Sequence, residues 1–418
     1  MRSNPFTSSI YESIWSKYFN DDKTLLSFDF IKGVRFLKNR RDGVYINAAR
    51  NLTKGIYYEL DHSKSDYKKK VFLIYDVPEY FDLPPFDPPK LSSLRLKKVY
   101  QYKGFLMDLS NFKNVDEYIN KQFSSKNRRE FRSNIRRLET CFNVRYVFIN
   151  TQMEQQQFDI LFGQFYDLLN KRFNYKQTYY HHLSPNKWNF YKELVYNMLG
   201  QKRASLLVIY NEETPIGITL NFHSDAILFE TITVFDPDYY KFSIGKTSII
   251  KLLEWCFENN YKISDFSKGD FNYKHKWGNR IYDFNYHILY DSRSIKATLK
   301  ALYVELYFKL KLFLRRRKVN HLYRKFKFMM DKSATVHKKP HSYKTVNFEK
   351  FNLKDIDKDV FKMIDYNSSM YDHLLPYLYS FAFANPESID RIEVYVSSNH
   401  KTDYIFKGTK KAQRITFS

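Results

Sequence analysis

Only two cysteines, Cys141 and Cys256, occur in 418 residues, too few for a disulfide framework. Both lie in apolar patterns and read as buried, reduced thiols. No stretch approaches 18 uncharged apolar residues, so no membrane-spanning helix is expected. The first residues, MRSNPFTSSIYESIWSKYFNDDK, lack the uninterrupted apolar core of a secretory signal. There is no Gly-x-Ser-x-Gly elbow and no Gly-x-x-x-x-Gly-Lys-Ser/Thr loop, which argues against a serine hydrolase or a nucleotide hydrolase. His181 and His182 are adjacent, and adjacent side chains point apart on any regular element. No cysteine or carboxylate stands at metal-ligand spacing, so no metal is expected. What the chain does have is aromatic mass, 36 Tyr and 38 Phe within a hydrophobic content of 43%, ample for packed cores and unlike a disordered chain. The length suits two domains of ordinary size plus extensions, and the reading is of a soluble, cytoplasmic protein.

Periodicity divides the chain coarsely. Residues 11–19 read as a short helix, and Val71–Asp76 (VFLIYD) as a buried strand cut off by the proline-rich loop 81–89. Gly104–Leu109 reads as a second short strand. One helix is expected from Asp116 through a basic stretch to Thr140, then a strand over 143–149. Helices follow over 154–173 and 185–199, with Pro185 near a helix start. Ala204–Tyr210, a turn at 211–214 and Ile216–Phe222 form a hairpin, with Ala226–Val234 pairing next. Further strands are expected at 263–266 and 283–290. Helices on a mostly antiparallel, mixed sheet make the chain α+β. The expected divisions are 1–150, 151–292, a basic amphipathic helix over 293–330, and a tail over 331–418 to which no role is assigned. His337–His341 reads as a linker, and 391–396 with 403–406 as a terminal hairpin.

The most informative segment is Lys262–Arg280, KISDFSKGDFNYKHKWGNR. A short β-like run ends in Gly269-Asp270, with Tyr273, Lys274 and Lys276 close behind. Strands that stop at Gly-Asp and are followed by ionisable and hydroxyl groups deliver chemistry at their carboxyl ends. Upstream, Phe242-Ser243-Ile244-Gly245-Lys246-Thr247 opens a helix running to about Asn260. A small-residue turn there exposes unpaired N–H groups at the positive end of a helix dipole, a seat for phosphate. The plainer reading of the same turn is a helix start capped by Ser243.

This order of residues resembles the GNAT acyltransferase superfamily, above all its large two-domain CelD-type branch (cellulose-biosynthesis acetyltransferase-like), which is related to the FemAB transferases. Asp265, Gly269, Asp270, Tyr273, Lys274 and Lys276 follow that branch's Asp-x-x-x-Gly-Asp-x-x-Tyr-Lys pattern. The likeness extends through Ser124–Glu139, Trp188–Leu199 and Leu206–Phe222, covering roughly residues 100–290. Lys268 and Phe271 depart from it, standing where the family often carries Arg and Glu. The resemblance implies two tandem GNAT-like domains, the second (151–292) binding acetyl-CoA or another acyl-CoA and the first shaping the acceptor side. It also implies an amine acceptor such as an amino sugar or a surface-polysaccharide precursor. In that frame Lys241, Ser243, Ile244, Gly245, Lys246 and Thr247 seat the pyrophosphate. Asp270 is the candidate base or amine-orienting group, Tyr273 the proton donor to the leaving thiolate, and Lys274 the oxyanion stabiliser. Arg128, Arg132 and Lys276 are the candidates for holding the acceptor.

The net charge of +24 is concentrated in two stretches. Lys121, Lys126, Arg128, Arg129, Arg132, Arg136 and Arg137 crowd one helix. The second stretch, 296–327, interleaves Arg315–Lys318 with Leu302, Leu306, Leu310 and Phe313, a basic amphipathic pattern. Such a helix fits an anionic membrane surface at the inner face of the membrane, an RNA, or its own protein core. Two other functions compete with acyl-CoA chemistry. One is a FemAB-like transfer from aminoacyl-tRNA, favoured by the charge; the other is non-enzymatic binding of RNA or anionic membrane.

Overall fold

The main sheet is built from runs whose local chemistry favours strands. Val71–Pro78 (VFLIYDVP) and Ile227–Phe235 (ILFETITVF) are β-branched and aromatic, and both are buried over most of their length. The computed structural model describes residues 4–21, 23–176, 178, 180–317, 346–353, 356–357 and 359–418. The expected linker 337–341 and the end of the basic stretch, 318–327, lie outside the described residues.

The strands of the main sheet are β1 (Leu26–Phe28), β2 (Ile31–Lys38), β3 (Tyr45–Asn47), β4 (Glu59–Leu60), β5 (Val71–Pro78), β6 (Leu94–Asp108), β7 (Val144–Ile149), β8 (Ala204–Asn211), β9 (Thr214–His223), β10 (Ile227–Phe235), β11 (Ile263–Lys268) and β12 (Arg280–Asp291). Their order is β1-β2-β3-β5-β12-β6-β11-β10-β9-β8-β7, with β4 on β2, so one sheet runs unbroken through both halves of the chain. Pairing is antiparallel except for β3–β5 and β10–β11. The architecture is α+β, as expected.

Two local expectations are corrected. The strand expected at 104–109 is β6, fifteen residues long. Its first part, LRLKKVYQYK, is too rich in lysine to read as a strand, yet β6 lies between β12 and β11, where ladder pairing on both edges outweighs composition. The helix expected over 116–140 is two helices, α2 (Val115–Gln122) and α3 (Ser125–Cys141). The chain is extended at Phe123 and Ser124, and the Ser124 hydroxyl caps the second helix by accepting from the Asn127 N–H.

The helices α1 (Ser9–Phe19), α4 (Gln155–Tyr175) and α5 (Pro185–Gly200) share one core with β8–β10 through Phe158, Phe165, Trp188 and Leu194. On the opposite face α2, α3, α6 (Ile244–Glu258) and α7 (Asn272–Trp277) enclose Phe105, Leu207, Leu228, Phe266 and Trp277. The basic helix is α8 (Ile295–Arg316), which presents Ala297, Ala301, Val304 and Phe308 to β5, β6 and β12.

The tail has an architecture of its own. Strands β13 (Val346–Phe351), β14 (Phe361–Ile364), β15 (Glu393–Ser397), β16 (Asp403–Lys407) and β17 (Ala412–Phe417) form an antiparallel sheet in the order β13-β17-β16-β15-β14. The expected hairpin is its β15–β16 pair. A helix, α9 (Leu375–Ala384), joins this sheet to the rest: Leu378, Phe381 and Ala382 share a core with Leu138, Cys141, Phe242 and Ile244. The Ser380 hydroxyl lies 3.2 Å from that of Tyr240, and the Arg137 guanidinium donates to the Phe383 carbonyl.

Candidate active site

The site lies where two parallel strands part. β10 and β11 pair through Ile227–Ile263, Leu228–Ser264 and Phe229–Asp265, and then stop. Both strands continue, β10 to Phe235 and β11 to Lys268, while their outer edges stay paired with β9 and β6. The facing edges beyond Phe229 therefore carry backbone groups without a ladder partner, which water or an extended ligand must satisfy. A bulge between Asp265 and Ser267 bends β11 at this point.

Past the bulge the backbone turns sharply. Ser267 has φ +57° and Gly269 φ +108°, the second a conformation that favours glycine. The reversal lets α7 bring Lys274 back beneath the strand end. Its ammonium donates to the carbonyls of Phe266 (2.8 Å), Ser267 (3.3 Å) and Lys268 (2.6 Å). These acceptors occupy all three N–H donors of the group. Lys274 is 4% exposed, and burial lowers its pKa to about 8 against the opposing pull of Asp265 and Glu230. Glu230 is buried on β10 and accepts from the Ser264 hydroxyl at 3.0 Å; burial raises its pKa to about 8, so at pH 7 it is largely protonated. The Ser267 hydroxyl is buried without a hydrogen-bond partner.

On the other face of β11, Asp265 accepts from the hydroxyls of Tyr80 (2.8 Å) and Tyr282 (2.9 and 2.8 Å) and from the Ser267 N–H (2.6 Å). Burial lifts its pKa to about 6 despite these donors. Gly104 makes room for this arrangement, because a Cβ there would stand 2.2 Å from the Tyr282 ring. Beside it Asp76, fully buried and at φ +59°, collects the Asn51 N–H and the side chains of Thr53, Gln101 and Tyr102, pinning the loop 48–55. Lys268 reaches that loop through the Asn51 carbonyl at 2.9 Å.

The structure separates the residues singled out from the sequence. Asp270 is an exposed group, its side chain 79% accessible, and it bonds His275 Nε2 at 2.6 Å. Tyr273 is 45% exposed and packs edge-on against Phe266, with its phenol held protonated mainly by burial. Lys274, expected to face an oxyanion, is turned inward and spent on carbonyls. Lys276 is exposed. Arg128 and Arg132 are not brought to this centre; they line a cleft of about 380 Å³ with Asn120, Ile250, Glu254 and Phe257.

The turn expected to seat a pyrophosphate is differentiated residue by residue. Ser243 is left-handed (φ +56°), and its side chain does not cap α6, contrary to the plain reading of that turn. The N–H groups of Ile244 and Gly245 have no carbonyl partner within the helix. Those of Lys246 and Thr247 bond the Ser243 carbonyl. Ile244 and Thr247 side chains are buried, Lys246 pairs with Glu130 at 2.5 Å, and Lys241 extends over the Tyr240 ring. Glycine at 245 serves packing, since a Cβ would lie 2.8 Å from the Phe235 ring. Sequence reasoning missed Glu230, Ser267, Tyr80 and Tyr282. Only Glu230 left a signal, as the single charge inside an otherwise apolar and hydroxylated strand.

Residues 125–275 match the model of the Acetyltransferase (GNAT) domain. The match spans α3 to α7 and so includes the parted strands, the α6 turn and Lys274. No curated protein matches the chain. Among solved structures, a conserved protein of unknown function from Bacteroides thetaiotaomicron gives a TM-score of 0.42 at 10% identity, covering 69% of this chain and 92% of its own. FemX gives 0.42 at 10% identity with coverages of 65% and 90%. L-PGS from Bacillus licheniformis gives 0.37 at 12% identity with 65% and 85%. All three lie below 0.5 and are too distant to say what this chain binds.

Proposed function

We propose that the GNAT-matching segment transfers an acyl group from acyl-CoA to an amine, with the parted edges of β10 and β11 as the donor groove. The observation that carries this reading is the coincidence of an open strand edge, an orphaned buried hydroxyl (Ser267) and an uncapped helix start at one end of a sheet. An extended chain bearing amides fits such an edge, and a pyrophosphate fits the free N–H groups of α6 with Lys241 beside them. The thioester supplies the electrophilic carbonyl. The acceptor nitrogen attacks it, a C–N bond forms, the C–S bond breaks, and the departing thiolate takes a proton.

Side chains divide these tasks. Asp270, through its contact with His275, takes the proton of the attacking amine. Tyr273, a phenol protonated at neutral pH, supplies the proton to the thiolate. Lys274 is a positioning residue, because its three donors hold the carbonyls of the turn that places Asp270 and Tyr273. The motif's resemblance to CelD-type enzymes supports an amino sugar or polysaccharide precursor as acceptor. Thermal shift tests the donor: acetyl-CoA at a hundred times its dissociation constant adds about 2.7 kcal/mol of stability. A shift with tRNA but none with acetyl-CoA or CoA would replace this reading by aminoacyl transfer.

A separate observation favours attachment to an anionic membrane surface. On the outward side of α8, Leu299, Leu302, Tyr303, Leu306, Leu310 and Phe313 are 38–64% exposed and flanked by Lys296, Lys309, Lys311 and Arg316. An apolar stripe bordered by cations lies readily in a headgroup layer. No helix among the described residues is long and apolar enough to cross a membrane.

A further inference from the structure

We infer that Arg172 binds an oxyanion, a phosphate or a carboxylate, of the ligand that lies along the free edge of β10. Calling that ligand a substrate of acyl transfer rests on the proposed function, whereas the placement of the guanidinium rests on contacts. Arg172 belongs to the last turn of α4. Its guanidinium carbon lies 3.8 Å from the centre of the Phe235 ring, and one of its N–H groups reaches the Thr233 carbonyl at 3.5 Å. Both contacts fall on the length of β10 that β11 no longer accompanies, since the last paired positions are Phe229 and Asp265. Alternation along the strand fixes the side. The Asp236 N–H bonds the carbonyl of Ile216 on β9 at 2.8 Å. Backbone groups two residues apart share a direction, so those of Thr233 and Phe235 point away from β9, into the gap. Arg172 therefore stands at the gap, on a carbonyl that an incoming chain would use.

Its surroundings leave it available. Lys171, its neighbour in sequence, holds both acids of the loop after β10, Asp236 at 2.8 Å and Asp238 at 2.5 Å. Among the described residues no carboxylate pairs with Arg172. A guanidinium has five N–H donors, and a contact of 3.5 Å engages one of them weakly. The rest are open to water or to ligand oxygens. The ring beneath it is held close against α6, where a Cβ at position 245 would stand 2.8 Å away, so the platform is fixed. A cation seated on such a ring presents a preset planar fork, which phosphates and carboxylates match with two parallel N–H···O bonds. Burial lowers the Arg172 pKa, yet a guanidinium stays charged throughout the physiological range.

The test uses the full-length protein and calorimetry with four probes: inorganic pyrophosphate, acetate, acetyl-CoA, and acetylpantetheine, which carries no phosphate. Arg172→Gln should weaken binding of an anionic probe about tenfold with an unchanged melting temperature. Arg172→Lys should recover only part of it, because an ammonium keeps the charge and loses the fork. Lys176→Gln, just past the end of α4, removes an equal charge without a fork and should change binding less than about twofold. If Arg172→Gln weakens acetyl-CoA but not acetylpantetheine, the oxyanion is the donor's phosphate. If pyrophosphate or acetate still binds through Arg172 at saturating acetyl-CoA, the oxyanion belongs to the acceptor. Equal behaviour of the parent and Arg172→Gln towards every probe overturns the inference, as does an equal loss in Lys176→Gln or an equal loss for acetylpantetheine; binding of acetyl-CoA in those cases leaves the acyl-CoA reading intact. If acetyl-CoA does not bind while the Arg172-dependent ion effect persists, the acyl-CoA reading fails and the oxyanion site stands.

Discussion

The end of β11 and the outer face of α8 are made of similar residues, lysines beside aromatics and aliphatics, and use them in opposite ways. At β11 the chain folds back so that Lys274 is enclosed and each of its donors meets a backbone carbonyl. On α8 Ala297, Ala301, Val304 and Phe308 face the sheet, while Leu299, Leu302, Tyr303, Leu306, Leu310 and Phe313 and most lysines face outward. Arg315 is an exception, donating to the Gln101 carbonyl on β6 at 2.8 Å. Charge density along a sequence is therefore a poor guide to where charge acts. The difference lies in whether the backbone offers acceptors: a strand end and a reversed turn do, and the middle of a helix does not.

The largest effect should come from Asp270→Asn at the edge of the enclosed region. Loss of a base lowers turnover by about 10²–10⁴-fold, with CoA affinity and melting temperature unchanged because the side chain is exposed. Turnover equal to the parent would reduce Asp270 to a turn residue and move the base elsewhere.

Next comes Glu230→Gln, a test of how strongly the enclosed region resists charge. The folded-state pKa of Glu230, about 8, is above its ordinary value, so the native state keeps a proton that the unfolded chain releases. That contribution is fully present below about pH 4.5 and is lost as pH rises through 8. Parent and variant should melt alike near pH 4.5, and the variant should be more stable at pH 9 by on the order of a few kcal/mol. Identical pH profiles would mean that Glu230 is solvated in the native protein.

On α8 the expected changes are in association. Replacing Leu302, Leu306 and Leu310 with Ser should reduce sedimentation with phosphatidylglycerol vesicles about tenfold without affecting acetyl-CoA binding. A loss of folding instead would show that the stripe is covered within the protein. The smallest effect is Lys241→Glu, which sets a negative charge beside the α6 start and should weaken CoA a few-fold, in line with about 0.3–1 kcal/mol for such charges. Unchanged CoA affinity would remove that turn from the donor site.

Much was legible without any structure, because local period and turn chemistry report it directly. The strands from Val144 to Phe235, the helix opening at Ile244 and the Gly269 reversal follow from apolar spacing and from residues that tolerate unusual backbone angles. Only tertiary structure decided that β6 lies between β11 and β12, that the basic stretch 116–140 breaks at Ser124, and that the tail forms a second sheet docked through α9. It also turned Lys274 inward, left Asp270 outside, and carried Arg128 and Arg132 to another cleft. The contact of Lys268 with the Asn51 carbonyl could not be read at all, since more than two hundred positions separate them. Such contacts are set by which strands pair across long loops, a choice made by summed burial and ladder bonds over the whole sheet, to which no short window of sequence gives access.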